Sequence, residues 1–183
     1  MSDLALLSRT VGASERTLRR AAGLGLVKAD RVSERRLRVP DAERRYLKRS
    51  WPLLVALRGA LRTEPNVELA VLFGSAARGT DAPGSDVDVL VGLRDPDRFR
   101  MLEMQDRLAR ALGRRVDVVR LADAQRDAWL LAEVLGEGRV LVDRGGRWPA
   151  LAAQADRVRR RGERDLDTRA RAALDRARRA TAG

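Results

Sequence analysis

Apolar residues follow more than one rhythm along this chain. Near its start they recur every three or four positions. "LALLSRTV" predicts a helix over 3–10 and "SERTLRRAAG" a second over 14–23, with Ser14 placed to cap the second through its hydroxyl. A loose alternation through "GLGLVKADRVSERRLRVP" predicts a small hairpin across 25–39. Asp41 is positioned to cap a helix over 42–50, and Pro52, tolerated in a first turn, to start another that runs to about Arg62. "EPN" at 64–66 breaks the pattern.

The rhythm then changes. Residues 67–73, apolar apart from Glu68, are of strand length, Gly74-Ser75 opens a turn or short helix, and 86–92 reads as a second strand. Phe99, Leu102, Leu108 and Leu112 lie roughly on one face of a helix over 95–113. "RRVDVVRL" (114–121) is a third strand, 122–135 a helix and 139–143 a fourth strand. Trp148, Leu151, Ala152, Ala155 and Val158 keep helical spacing in a tail whose alanine- and arginine-rich end, 162–183, is expected to fray. The fold class is α/β (α+β): a sheet with flanking helices at 64–145, a small head at 1–40, connecting helices at 41–63 and a helical tail at 146–183.

One feature disturbs this apolar plan. Asp86 and Asp88 stand two apart in the second strand, and side chains two apart on a strand share a face. Asp117 sits in the third strand between Val116 and Val118. If those strands are neighbours, three carboxylates meet on one side of the sheet. Two like charges about 4 Å apart repel by roughly 4 kcal/mol at an effective dielectric of 20, so such a cluster calls for a cation. The chain has no histidine and no cysteine, which excludes thiol nucleophiles, disulfides and histidine triads and leaves acid–base and metal work to carboxylates. All-oxygen ligands suit Mg²⁺ or Mn²⁺. Gly74 allows close backbone approach to a phosphate, and Ser75 offers a hydroxyl and an N–H at a helix start. Arg78 either adds charge to that corner or is an ion-paired surface arginine.

"GSAARGTDAPGSDVD" (74–88) resembles the signature of minimal nucleotidyltransferases in the DNA polymerase beta superfamily. The resemblance covers roughly residues 66–143. It implies nucleotide binding at Gly74 and Ser75, metal binding at Asp86 and Asp88, and a third carboxylate, Asp117, that completes the metal site and is the candidate to deprotonate the attacking hydroxyl. It also implies a nucleoside triphosphate, ATP above others, as substrate. With no large second domain, the chain looks like the antitoxin branch, whose members transfer AMP to a tyrosine of a HEPN-domain toxin. Its arginine–histidine motif would have to lie on another polypeptide. An antibiotic-modifying transferase is a further reading, set back by the short tail where such enzymes carry a helical substrate domain.

Charge separates the head from the middle. Residues 1–62 carry a net +9, 63–143 a net −4 and 144–183 a net +7, although 36 of the 38 basic residues are arginine, a bias codon composition also produces. "LALLSRTVGASERTLRRAAGLGLVKADR" resembles the winged helix-turn-helix of MerR-like regulators, without a leading helix; three-helix versions would need residues 42–62 to close the core. In that reading Arg16, Arg19 and Arg20 face a major groove of double-stranded DNA, and Arg31, Arg35 and Arg36 meet phosphates near the wing tip. The plain alternative is a helical cap with a solvated arginine face. MerR-like heads often work as dimers, so a homodimer is among the expectations. A second functional reading keeps the DNA-binding head and makes the transferase fold a nucleotide or partner sensor without turnover. No signal pattern and no apolar run near the roughly 20 residues of a membrane span is present, so a cytoplasmic protein without a membrane partner is expected.

Overall fold

The computed structural model describes residues 3–33, 36–95 and 97–181. In the head, α1 (Asp3–Val11) and α2 (Glu15–Leu24) form as their spacing predicts. The Ser14 hydroxyl accepts the Thr17 N–H at 3.1 Å, and Gly25, at φ 90°, turns the chain out of α2. Strands β1 (Asp30–Arg31) and β2 (Leu37–Arg38) pair antiparallel in a minimal hairpin.

The two helices expected over 42–62 are one: α3 spans Asp41–Arg62 with Pro52 inside it. Its N-cap is Pro40, and Asp41, expected as the cap, lies in the first turn in an ion pair with Arg44. Proline in a helix interior costs about 3 kcal/mol and removes one ladder bond. Here a continuous apolar stripe, Leu47, Trp51, Leu54 and Leu61, is buried on both sides of the proline, and that burial outweighs the break.

The sheet is built from β3 (Val67–Phe73), β4 (Val87–Leu93), β5 (Val116–Arg120) and β6 (Arg139–Asp143) in the order β5-β4-β3-β6. β3 pairs antiparallel with β4 and β6, whereas β4 and β5 run parallel across the crossover helix α5 (Arg98–Leu112). The short helix α4 (Gly74–Arg78) follows β3 at once. The helix expected over 122–135 is divided into α6 (Leu121–Ala124) and α7 (Ala128–Glu137), because Asp127 caps a new start by accepting the Trp129 and Leu130 N–H groups. The tail likewise has two helices, α8 (Trp148–Ala152) and α9 (Ala155–Thr181), and α9 is helical through most of the stretch expected to fray. On α5 the buried residues are Met104 and Leu108, while Phe99 is 80% exposed and Leu102 also faces solvent. Phe99 and Leu108 are nine positions apart, half a turn out of phase, so one face cannot bury both.

Both sheet faces are covered, which is why β3 is apolar without alternation from Leu69 to Phe73. On one face Ala70, Leu72, Val87 and Val89 join a cluster with Leu4, Leu7 and Leu18 of the head and Leu47 and Leu54 of α3. On the other, Leu69, Val71, Phe73 and Leu90 pack with Leu131, Val134 and Leu135 of α7 and Val158 of α9. The head is therefore fused to the sheet through shared core. A buried ion pair reinforces the junction: Arg139 on β6 meets Glu43 on α3 through two bonds of 2.6 and 2.8 Å, and its Nε donates to the Ala77 carbonyl of α4 at 2.8 Å. Among the described residues no helix is long and apolar enough to cross a membrane.

Candidate active site

Parallel pairing of β4 with β5 sets Asp88 directly against Asp117. Residues in register on adjacent strands project to the same side. That side is the one Leu90 and Val119 share, the α7 side. Asp86 lies just ahead of β4, whose ladder opens with the Val87 N–H donating to the Arg115 carbonyl at 3.0 Å. Its Oδ1 is 3.6 Å from Nε of Arg115.

The field at this point is strongly negative. Burial pushes the Asp88 carboxyl above its ordinary value, and Asp117, Glu133 and Asp86 push it further in that order, with Arg78 opposing. Among the described residues no three acidic groups stand closed around one point as a finished metal cage. Asp86 turns toward Arg115, and Asp117 is open to solvent. The donor set nonetheless fits a hard divalent cation: every group is a carboxylate, and their mutual repulsion is what a cation relieves.

The glycine–serine corner abuts these carboxylates. Gly74 has φ +69°, and a Cβ there would collide with Oδ2 of Asp88. The close approach that demands glycine is to the aspartate itself. Ser75, half-buried, is the second residue of α4, and its carbonyl accepts the N–H groups of Gly79 and Thr80 at 2.9 and 3.0 Å. Arg78 takes the ion-paired role, its Nη1 lying 2.7 Å from Glu133 and 2.8 Å from Glu137.

Glu133 and Arg115 are the site neighbours that sequence reasoning missed. Neither belongs to a motif; the available signal was the i, i+4 spacing of Glu133 and Glu137, a pair that can grip one arginine from a facing helix. In the head, Arg16, Arg19 and Arg20 are exposed on α2, and Arg31 and Arg36 are exposed on the hairpin. Arg35 lies outside the described residues.

The family model described as "Polymerase beta, Nucleotidyltransferase" matches residues 56–146. The chain is 37% identical over 60 residues to a Methanocaldococcus jannaschii protein named for protein adenylyltransferase activity, covering 32% of this chain and 61% of that protein. It is 37% identical over 68 residues to the protein adenylyltransferase MntA of Thermococcus cleftensis, covering 37% of this chain and 69% of the relative. Among solved structures, a chain of a toxin–antitoxin complex crystallised with AMP-PNP aligns at 27% identity and a TM-score of 0.53, covering 68% of this chain and 97% of that one. A four-stranded sheet flanked by helices, with paired strand carboxylates beside a glycine–serine turn, is the nucleotidyltransferase architecture. The chain belongs to the polymerase beta nucleotidyltransferase family. It spans about 61% of the length of the first of these curated relatives.

Proposed function

We propose that this protein transfers a nucleoside monophosphate, AMP from ATP, to a hydroxyl group on a partner protein. The observation that carries the reading is the register of Asp88 against Asp117 beside Gly74-Ser75. The triphosphate rests against the Ser75 hydroxyl and the start of α4, the acceptor oxygen attacks the α-phosphorus, and pyrophosphate leaves on the opposite side. Asp117, exposed on the sheet's edge strand, is open to the acceptor and takes its proton. Asp86, Asp88 and Asp117 would hold Mg²⁺ or Mn²⁺, which would offset the triphosphate's charge and polarise the α-phosphate.

A HEPN-type toxin is the proposed acceptor. The aligned antitoxin-complex chain is matched over nearly its whole length, and a chain without histidine cannot supply an arginine–histidine nuclease motif of its own. Incubation with α-³²P-ATP, Mg²⁺ and a co-expressed HEPN-domain protein is the test. Label appearing on the partner is the expected result; no label on any protein, with nucleotide still bound, would favour a sensor without turnover.

The head, in the same reading, binds double-stranded DNA, supported by the exposure of Arg16 and Arg20 on α2 and of Arg31 and Arg36 on the hairpin. Fluorescence anisotropy on the chain's own upstream DNA should show affinity falling steeply with salt. Arg31→Ala combined with Arg36→Ala, at the two described wing arginines, should lower the slope of log K against log salt by about 2, one for each phosphate no longer neutralised. An unchanged slope would reduce the head to a solvated cap.

A further inference from the structure

We infer that the cavity between α4, α7 and α9 seats the base of the nucleotide, with the Trp129 indole as its stacking face. This rests on the nucleotidyl-transfer reading above and adds a substrate-recognition site to it.

The cavity measures about 490 Å³, and its lining includes Arg78, Trp129, Glu133, Gly136, Arg159 and Glu163. That is within the roughly 300–1,000 Å³ of small-molecule sites. Its position follows from the sheet. Asp88 and Asp117 project to the face covered by α7 and α9, and the cavity opens between those same helices. Arg78 ends the five-residue helix that Gly74 begins, so the glycine–serine corner and this edge of the cavity lie about 6 Å apart along the helix axis. A nucleotide with its phosphates at the glycine–serine corner therefore has this cavity within reach of its base.

The lining suits an amine-bearing base. Trp129 is 55% exposed on the first turn of α7, a turn capped by the Trp129 backbone N–H donating to Asp127 at 3.0 Å. An indole left open at a cavity edge offers a flat face, and base–aromatic stacking is a strong, sequence-tolerant interaction. One oxygen of Glu133 accepts from Arg78 at 2.7 Å and one of Glu163 from Arg159 at 3.0 Å. The second oxygen of each carboxylate is the acceptor for an exocyclic amine, whereas the carbonyl edge of uracil would meet it with like partial charge. Gly136 leaves the wall bare: a Cβ there would meet nothing within 4 Å.

Titration calorimetry with two Mg²⁺-loaded probes separates base from phosphate. The probes are AMP-PNP, which carries a base, and tripolyphosphate, which does not. Trp129→Ala should weaken AMP-PNP about 5- to 150-fold and leave tripolyphosphate unchanged, with Trp129→Phe recovering most of the loss. Gly136→Leu, which fills the cavity while improving helix propensity, should repeat the pattern without touching the aromatic ring. Unchanged AMP-PNP affinity in both variants would overturn the base site, as would equal weakening of the two probes. Failure of the wild-type protein to bind either probe would overturn the nucleotidyl-transfer reading and the base site with it. Equal affinity for AMP-PNP and its uridine counterpart would overturn the role given to the carboxylates.

Discussion

Asp88→Asn should lower label transfer on the order of 10²–10³-fold or more while the protein melts at the same temperature or higher. Asp88 is the carboxylate on which the others converge: Asp117 is its register partner, and Glu133 and Asp86 add to the field around it. Its folded pKa lies above the unfolded one, first through burial and then through these like charges. The fold therefore binds the proton more tightly than the unfolded chain does. Stability falls as pH rises from the unfolded value through the folded one, so the penalty is carried by the ionised carboxylate. Asparagine keeps the shape and removes the charge, which ends the penalty together with the ability to hold a cation. Calorimetry beside the labelling assay checks both halves. Lost transfer with a lowered melting temperature would instead make Asp88 a structural residue.

The second large effect concerns stability. Arg139→Met should destabilise the protein by about 3–5 kcal/mol, a large part of the roughly 5–15 kcal/mol typical of a domain. Arg139 and Glu43 are 4% and 5% exposed, so the substitution leaves a carboxylate buried without its partner. Arg139 also stacks 3.5 Å above the centroid of the Tyr46 ring and bonds the carbonyls of Ala77 and Leu26. Adding Glu43→Leu should restore part of the loss but not all. The Lys28 N–H, which donates to Glu43 at 3.0 Å, and the Ala77 carbonyl would still lack partners. Urea denaturation measures both variants. Arg139→Met within about 1 kcal/mol of wild type would show that the pair does not hold head, α3 and sheet together.

The parts of the site legible in the sequence are those set by local rules. Alternation along the strand puts Asp88 on the side of Leu90, and a glycine–serine break after an apolar run marks the turn beside it. Asp86, expected as the first residue of that strand, lies one residue ahead of it and turns toward Arg115. The parts that are not legible depend on which faces meet. Pro52 reads as a helix start until one sees the stripe from Leu47 to Leu61 buried across it. Arg78 reads equally as phosphate ligand or ion-paired residue until α7 is packed beside α4. Arg139 is one arginine among many until β6 carries it against Glu43, 96 residues away along the chain. Gly74 reads as making room for a phosphate, while its immediate neighbour is the Asp88 carboxylate.

By itself, then, the sequence determined the order and kind of most elements and the presence of a carboxylate pair beside a glycine–serine turn, because hydrophobic period and turn chemistry act over a few residues. Only the tertiary structure decided that Asp117 joins that pair, that Glu133 adds to its field, that Arg78 is held by α7, and that the head shares the sheet's core. Those outcomes rest on long-range burial, which pairs surfaces by shape and apolar area and leaves no mark in the local spacing of residues.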